Sequence, residues 1–306
     1  MFSDDIIFNR GNEMAEQSIA IVLTCHNRKE KTKRCLETII NSSTRSVEYK
    51  YKIFICDDGS DDGTREMIMS FMREMDIELI EGNGDLFWAR GMAKAIEMAE
   101  KFNPDFYLMI NDDVDFYPQM IEIMLRNYQK HDDTYCAIVG CTQSSDKSDC
   151  SYGGFGWDSN GLIIQKNYRR LLPMDSGILC KWANWNCFLL PKQLYQAVGK
   201  IDSYYEHSFA DYDYSNRIIR NGYRMFVADE YIGTCDRNPK ENTYLDNTLP
   251  INKRLKLLHK RTARPPKSCW YYARKFYGPF SIVKFLEPYF YILVTSTPIF
   301  KKLRRA

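Results

Sequence analysis

Three carboxylates lie within four positions directly after an apolar stretch of the chain. Residues 106–118 read FYLMINDDVDFYP, so that an apolar run is followed by Asn111 and then by Asp112, Asp113 and Asp115. Like charges this close repel one another, and each carboxylate resists burial. A solvated turn would tolerate them, and so would a divalent cation, because carboxylate oxygens are preferred ligands of Mg²⁺ and Mn²⁺. The segment therefore predicts one of these two environments.

The acidic segment belongs to a series of strand-like runs that alternate with helical patterns. Apolar, β-branched runs end in polar residues at 18–27 (SIAIVLTCHN), 51–64 (YKIFICDDGSDDGT) and 77–83 (IELIEGN), and the segments between them carry apolar residues at helical spacing. This alternation predicts an α/β fold in which helices flank a mostly parallel central sheet. Ligands of such sheets bind beyond the carboxyl ends of the strands, where these polar residues would converge.

Basic and polar side chains are predicted to join the carboxylates at this edge. They include His26, Asn27, Arg28 and Arg90. Such a set suits a nucleoside diphosphate together with a divalent cation, because the metal bound by the carboxylates would neutralise phosphate charge. The sequence contains no G-x-x-x-x-G-K-[ST] loop, and GNGDLF at 82–87 lacks the last glycine of the dinucleotide fingerprint.

Charge is distributed unevenly along the chain. The net charge is +2, but residues 253–306 contain fourteen Lys or Arg and one acid, so this tail carries +13 and the remainder carries −11. The apolar run within the tail is shorter than the about 20 residues that a membrane span needs. Aromatic residues beside lysines predict contact with an anionic membrane surface, and the alternative is a helix packed on the domain with a solvated basic face. Nucleic acid is not expected as a partner, because no recognition motif appears and the rest of the chain is acidic.

The cysteines and the N-terminus favour a cytoplasmic location. The ten cysteines form no C-x-x-C pair and no Cys/His cluster, which predicts reduced, buried thiols rather than disulfides or a zinc module. The first residues, MFSDDIIFNRGNE, are acidic and show no secretory signal pattern. With the basic tail, these features predict a cytoplasmic protein bound peripherally at the inner face of the cell membrane.

Four segments in order carry a resemblance to a known family. IVLTCHNRKE, IFICDDGSDDGT and FYLMINDDV, followed by a second-half segment that includes VGKID and FADYDYSNR, resemble the family 2 glycosyltransferases of GT-A fold, in particular the rhamnosyltransferase-like branch of capsule and O-antigen synthesis. The resemblance implies a GT-A domain at 18–245, with a nucleotide-sugar half at 18–115 and an acceptor half at 116–245. Residues 246–306 are then a basic, partly hydrophobic helical extension.

The resemblance implies roles for residues of the first half. Asp113 would bind the cation, Mn²⁺ or Mg²⁺, as the last residue of an N-x-D motif that begins at Asn111, while Asp115 is interpreted as a solvated loop acid. The residues expected to bind the donor are Thr24, His26, Asn27, Arg28, Asp57, Asp58, Trp88, Arg90 and Asp112. Asp57 and Asp58 would recognise a uracil or thymine base and its ribose, and the α-helix that opens near Trp88 and Arg90 could receive phosphate at its N-terminus. For His26 the alternative is a helix-entry residue that touches no ligand.

The second half is expected to supply the base and the acceptor site. Asp211 aligns with the general base of inverting members, which accepts the proton of the attacking hydroxyl; the alternative is that it caps the following helix. Trp182, Asn184, Trp185 and Asn186 are expected to flank the sugar and the acceptor, or, for either tryptophan, to be core residues.

Two positions depart from the family pattern. Ala210 stands where the family has a glutamate before the base, and Cys235 or Asp236 where many members have a metal-binding histidine.

These observations predict an inverting glycosyltransferase of the hexosyl or deoxyhexosyl type. It would move a sugar from a UDP- or dTDP-sugar to a hydroxyl of a saccharide acceptor, expected to be lipid-linked, in bacterial surface polysaccharide synthesis. One alternative is a catalytically inactive protein that binds sugar nucleotides. The other is a nucleotidyltransferase, which should show an N-terminal G-x-G-[ST]-R loop where this chain has TCHNR.

Overall fold

The computed structural model describes residues 17–43, 49–157 and 168–297. The last nine residues of the predicted extension, 298–306, lie outside the described residues. The strands are β1 (Gln17–Cys25), β2 (Tyr49–Asp57), β3 (Ile77–Glu81), β4 (Phe106–Ile110), β5 (Asp115–Phe116), β6 (Cys136–Gln143), β7 (Cys150–Tyr152), β8 (Gly154–Trp157), β9 (Tyr168–Arg170), β10 (Trp182–Ala183), β11 (Cys187–Pro191) and β12 (Arg224–Thr234). The helices are α1 (Lys29–Ser43), α2 (Thr64–Phe71), α3 (Phe87–Phe102), α4 (Met120–Lys130), α5 (Lys192–Val198), α6 (Ala210–Arg220), α7 (Ile251–Leu258), α8 (Pro266–Tyr277) and α9 (Ser281–Thr295), with 3₁₀ turns at Pro173–Asp175 and Gly278–Phe280.

A central sheet organises the described residues, in the order β3-β2-β1-β4-β11-β6-β12-β5, with β7 paired to β6. The strands β1 to β4 are parallel, as the alternation of strand and helix patterns predicted. In contrast, β11 runs antiparallel to both β4 and β6. The α/β class is confirmed, and the sheet is mixed because the second half of the chain inserts this antiparallel strand. A small second sheet has the order β10-β8-β9.

The antiparallel direction of β11 has a consequence for the site. Cys187, at the start of β11, pairs with Ile110 at the carboxyl end of β4. The residues just before β11 therefore lie beside the acidic segment that follows β4, and the N–H group of Asn111 donates to the carbonyl of Asn186 at 3.4 Å. This strand pairing brings the two halves of the chain to one edge of the sheet.

Both faces of the sheet are covered. Along β1, Ala20 and Val22 belong to one buried apolar cluster, while Ile19, Ile21 and Leu23 belong to the other. Helices α3 and α6 contribute to the first cluster, and α1, α2 and α4 contribute to the second. Strands buried on both faces read as continuous apolar runs, which explains the unbroken IAIVL pattern of β1. All ten cysteines lie in the described residues, where they are buried and free.

The C-terminal helices pack onto the sheet domain. Tyr272 of α8 is buried in the first apolar cluster, and its hydroxyl accepts a hydrogen bond of 2.8 Å from the side-chain amide of Asn216 on α6. Lys275 Nζ lies 2.7 Å from the buried carboxylate of Asp213, also on α6. Helix α8 thus packs against the helix that carries the predicted catalytic base in its first turn. No helix of the described residues is long and apolar enough to cross a membrane.

Candidate active site

Two adjoining cavities open at the sheet edge where the polar strand ends converge. The larger, of 420 Å³, is called here the central cavity, and the smaller, of 300 Å³, the side cavity. The central cavity is lined by Arg28, Trp88, Asn111, Asp112, Asp113, Tyr152, Asn184, Trp185, Asn186, His207, Ser208, Phe209, Asp211, Tyr212 and Asn238. The side cavity is lined by Thr24, Cys25, His26, Arg28, Asp58, Gly84, Phe87, Trp88, Asp112, His207 and Thr262. Arg28, Trp88, Asp112 and His207 line both.

A guanidinium group holds the acidic segment after β4. Arg28 Nη1 lies 2.7 Å from Asp112 Oδ1, and its Nη2 lies 2.8 Å from Asp113 Oδ2. The hydroxyl of Thr32 donates a further bond of 3.1 Å to Asp112. Burial raises the pKa of Asp112 to about 6, although the positive charge of Arg28 opposes the shift. The acidic motif is therefore neither a solvated turn nor an uncompensated cluster, because part of its charge is balanced within the chain.

Asp113 is the more accessible of the two acids and could bind a divalent cation. Its side chain is 14% exposed, against 4% for Asp112. In the described parts of the chain, no group of three or more His, Cys, Asp or Glu side chains could hold a metal ion. The residues present fit an ion of the Mg²⁺ type, which is often bound by one or two carboxylates and completed by substrate phosphates and water.

The two candidates for the missing histidine do not supply a good third ligand. Cys235 Sγ lies 3.9 Å from Asp113 Oδ1, but burial raises the pKa of this thiol to about 12, and metals bind the thiolate. Asp236 accepts hydrogen bonds from the N–H and hydroxyl groups of Ser145, at 2.8 and 2.7 Å. Neither residue lines the two cavities.

Asp58 organises the loop that forms one wall of the side cavity. Its carboxylate accepts N–H bonds from Gly84, Leu86 and Phe87, at 2.9, 3.0 and 2.9 Å. Its carbonyl lies 2.7 Å from Nδ1 of His26, which brings that imidazole to the same wall. A sequence motif with two adjacent aspartates therefore shapes the cavity through backbone hydrogen bonds.

The close packing of α3 on β1 brings Thr24 and Trp88 into the site. A Cβ atom at Gly91 would lie 2.3 Å from Thr24 Oγ1, so that only glycine permits this approach. Trp88 donates from its indole nitrogen to Asn111 Oδ1 at 2.9 Å and contacts Trp185 edge to face, with ring centroids 5.9 Å apart. Asn111, the first residue of the N-x-D motif, thus positions an aromatic wall of the central cavity.

Asp211 lines the central cavity from the first turn of α6. The helix begins at Ala210 with Phe209 at the N-cap position, so Asp211 does not cap it. Its carboxylate accepts the N–H of Tyr212 at 2.9 Å and is also hydrogen-bonded by the side chain of Asn184. Burial raises the pKa of Asp211 to about 6, and both hydrogen bonds oppose that rise. The shift arises without a neighbouring glutamate, because the residue before Asp211 is Ala210, which is buried in the apolar core.

Four of the predicted site residues lie outside the two cavities. The side-chain oxygen of Asn27 accepts the N–H of Asp61, and the N–H of Asn27 donates to the hydroxyl of Ser60. Asp57 accepts the N–H of Ser60, so both residues hold the turn after β2. Arg90 lies 3.4 Å from Glu206, on the side of α3 away from the central cavity. Trp182 packs against Tyr168 in the small sheet, with ring centroids 3.7 Å apart. The other predicted residues all line one cavity or both, but Trp185 is 1% exposed and packs within the apolar core, as its alternative interpretation predicted.

His207 and Thr262 are site residues that sequence reasoning missed. His207 lines both cavities, and burial together with the nearby charge of Arg28 lowers its pKa, so that the neutral form is favoured. The only available signal was its place four residues before Asp211 in a chain with four histidines. Thr262 belongs to the C-terminal extension and reaches the side cavity only because the chain folds back over it.

Comparisons with known proteins identify the family and the fold of the chain. Residues 20–177 match the family model described as glycosyl transferase family 2. A poly-beta-1,6-N-acetyl-D-glucosamine synthase of Staphylococcus epidermidis is 33% identical over 119 residues, which cover 36% of this chain and 26% of that protein. The chain thus matches about a quarter of the length of this curated relative.

Solved structures share the fold at low sequence identity. The mannosyltransferase PcManGT from Pyrobaculum calidifontis, in complex with GDP-Man and Mn²⁺, superposes with a TM-score of 0.53 at 14% identity, over 92% of this chain and 72% of that one. TarS 1–349 of S. aureus, in complex with UDP, gives 0.51 at 10% identity, over 87% and 72%. Because the family model covers more than half of the residues, the chain belongs to glycosyl transferase family 2, and its fold is GT-A.

Proposed function

We propose that the protein transfers a sugar from a nucleoside diphosphate sugar to an acceptor hydroxyl, with inversion at the anomeric carbon and Asp211 as general base. The observation that carries this proposal is that one cavity of 420 Å³ is lined both by Asp211 and by Arg28, Asp112 and Asp113. Such a displacement needs a base for the attacking hydroxyl, and it needs charged groups that can hold the departing diphosphate and a cation.

The side cavity would take the nucleoside of the donor. Thr24, His26 and Asp58 line it, and the family resemblance assigns these positions to the base, ribose or phosphates. TarS was solved with UDP and PcManGT with GDP-Man, which supports a nucleotide-sugar donor for this chain. A UDP- or dTDP-sugar remains our prediction from the motif around Asp57 and Asp58.

Arg28, which lines both cavities, would hold the diphosphate directly, and Asp113 would hold it through a bound cation. The bound Mn²⁺ of PcManGT supports a divalent cation, Mn²⁺ or Mg²⁺, for which Asp113 is the ligand that this chain offers. When bound, the cation would neutralise the charge of the departing diphosphate. Arg28 would contribute to the same neutralisation by turning part of its fork from the carboxylates to phosphate oxygens.

The acceptor would enter the central cavity beside Asp211. The side-chain amides of Asn184 and Asn186 line this cavity and suit the hydroxyls of a pyranose ring, whereas Trp185 is buried and stacks on Phe188. Asn184 hydrogen-bonds Asp211 and so would orient its carboxylate. The ionised Asp211 would take the proton of the attacking hydroxyl as the new glycosidic bond forms and the bond to the diphosphate breaks. The polymer-forming relative from S. epidermidis supports a saccharide acceptor in surface polysaccharide synthesis.

The first experiment is donor hydrolysis by the purified protein across UDP-, dTDP- and GDP-sugars, with Mn²⁺, with Mg²⁺ and with EDTA. Release of one nucleoside diphosphate, abolished by EDTA, is the expected result. A thermal shift with a nucleotide but no release would indicate that turnover requires the acceptor. Neither a shift nor release would favour the inactive nucleotide-binding protein, and formation of a sugar nucleotide from a sugar phosphate would favour the nucleotidyltransferase.

We further propose that α9 rests on an anionic membrane surface at the cytoplasmic face, where a lipid-linked acceptor would be found. Ile282, Val283, Phe290, Leu293 and Val294 are each 50–62% exposed. At about 100° per residue they fall on one face of the helix, while Pro288, Ile292 and Thr295 are buried. An exposed apolar helix face within a segment of charge +13, residues 253–306, is the pattern of an interfacial helix.

Vesicle binding tests this part of the proposal. We expect the wild-type protein to sediment with vesicles that contain phosphatidylglycerol and much less with neutral ones, and the variant Phe290→Ser/Leu293→Ser to lose this binding. Met174→Ser is the control, because Met174 is 85% exposed but lies outside α9. Unchanged vesicle binding by the double variant, or a change in its oligomeric state alone, would exclude the membrane as the partner of this face.

A further inference from the structure

The C-terminal extension supplies an arginine that connects two loops of the active site. Arg261 follows α7, and its Nε lies 2.6 Å from Glu206 Oε2. Its Nη1 pairs with the carboxylate of Asp85, and its guanidinium lies 4.2 Å from the ring centroid of Phe87. One side chain therefore contacts residues from the loop before α3 and from the loop before α6.

Each of these loops carries residues that line the cavities. The loop before α3 contributes Gly84, the first turn of α3 contributes Phe87 and Trp88, and the loop before α6 contributes His207. The neighbour of Arg261, Thr262, lines the side cavity itself. Arg261 thus connects two segments that form walls of the side cavity.

The backbone of Phe87 shows that the loop before α3 must be held in place. Phe87 has a φ of 58°, a left-handed conformation that a bulky residue adopts only when its surroundings impose it. Asp58 holds its N–H group from the sheet side, at 2.9 Å, and Arg261 covers its ring. One backbone hydrogen bond, from Ala89 N–H to the carbonyl of Glu206 at 2.9 Å, also joins the two loops.

We propose that Arg261 is a positioning residue for the nucleotide donor: by pairing with Asp85 and Glu206 it keeps the side cavity at the width that the nucleoside requires. Arg261 does not line either cavity and need not touch the donor. This inference rests on the proposed function, because it assumes that the side cavity binds a nucleotide. It makes the extension a part of the donor site in addition to any membrane contact.

Calorimetric binding of UDP, dTDP and GDP to the full chain provides the test. Removing two partly exposed ion pairs with Arg261→Gln is expected to weaken binding of the preferred nucleotide by about three- to tenfold. In turnover assays the donor KM should rise by a similar factor, while kcat at saturating donor changes by less than about twofold. Arg261→Lys should recover part of the affinity, because an ammonium group can pair with only one of the two carboxylates at full strength.

Arg126→Gln is the matched control. Arg126 also pairs with two carboxylates, Asp229 at 2.9 Å and Glu230 at 2.6 Å, and it is exposed to a similar extent, 45% against 39% for Arg261. It lies on α4, away from both cavities, so its loss should leave nucleotide affinity unchanged. Equal weakening in both variants would attribute the effect to general destabilisation and overturn the inference.

A double-mutant cycle separates positioning from a direct contact of Arg261 with the donor. Asp85→Asn removes one of the two pairs of Arg261 and should weaken binding, and the double variant Asp85→Asn/Arg261→Gln should be no weaker than Arg261→Gln alone. Additive losses would indicate that Arg261 acts without Asp85 and would overturn the inference. If the wild-type protein binds none of the three nucleotides, the proposed function fails as well, whereas equal binding by wild type and Arg261→Gln would reject this inference alone.

Discussion

Asp112 and Asp211 line the same cavity and have the same raised pKa, about 6, for the same main reason, which is burial. Their partners differ. Asp112 faces the guanidinium of Arg28 at 2.7 Å, whereas Asp211 has one backbone N–H group and the amide of Asn184. The contrast teaches that a raised pKa alone does not identify a base: Asp112 already has a cation, and Asp211 retains its capacity to accept a proton.

The largest expected effect comes from removing that capacity. Asp211→Asn should lower turnover by about 10²- to 10⁴-fold, the usual contribution of general acid–base catalysis. Nucleotide binding should persist, because Asp211 does not line the side cavity. Steady-state rates together with calorimetry on the same preparation would test this, and a variant with nearly full turnover would show that Asp211 is not the base.

The pH dependence of the reaction should follow Asp211. Because the base acts when ionised, kcat/KM should rise about tenfold per pH unit below pH 6 and level off above it. Asp112→Asn should retain this acid limb even if its overall activity falls. Loss of the acid limb in Asp112→Asn would show that the activity follows the ionisation of Asp112 and not that of Asp211.

The sequence predicted the elements of the site better than their contacts. Alternating strand and helix patterns correctly predicted β1 to β4 and the helices between them, and so the edge at which Asp58 and Asp112 meet. The family motif placed Asp211, about 100 residues after Asp113, in the same site. The two side chains line one cavity. Local patterns suffice for the strands because they fix which strand ends share an edge, whereas the role of Asp211 came from the family motif alone.

Side-chain partners were beyond prediction because they depend on packing between distant segments. Nothing in the motif around Arg28 indicates that its fork spans Asp112 and Asp113, 84 and 85 residues away. Asn27 and Asp57 are as polar as their neighbours, yet they hold a turn. His207 reaches the cavities because the loop before α6 lies beside them, and Thr262 does so because the C-terminal segment folds back. No periodicity in the sequence encodes either arrangement.

The partner of Asp112 predicts a smaller, structural effect. Arg28→Gln leaves a buried carboxylate without its cation and should lower the free energy of unfolding at pH 7 by about 1–3 kcal/mol. The loss should be smaller at pH 5, where Asp112 can take up a proton instead. Urea denaturation of Arg126→Gln, whose pairs are exposed, should give less than about 1 kcal/mol. Equal losses for the two variants would mean that the Arg28 pairs contribute no more than surface pairs.

The smallest expected effect has the opposite sign and concerns Asp211. A carboxyl group whose pKa rises from 3.8 to about 6 on folding binds more protons in the folded state, so the free energy of unfolding falls as pH rises from about 4 to above 6. Asp211→Asn removes this penalty and should be more stable than wild type at pH 8 by about 1–2 kcal/mol, after allowance for its partial exposure, with little difference at pH 4. Urea denaturation at both pH values measures the difference. Replacing an aspartate kept for structure would destabilise the protein. Replacing an uncompensated base should stabilise the protein and abolish activity, and this combination of a gain in stability with a loss of activity distinguishes Asp211 from Asp112.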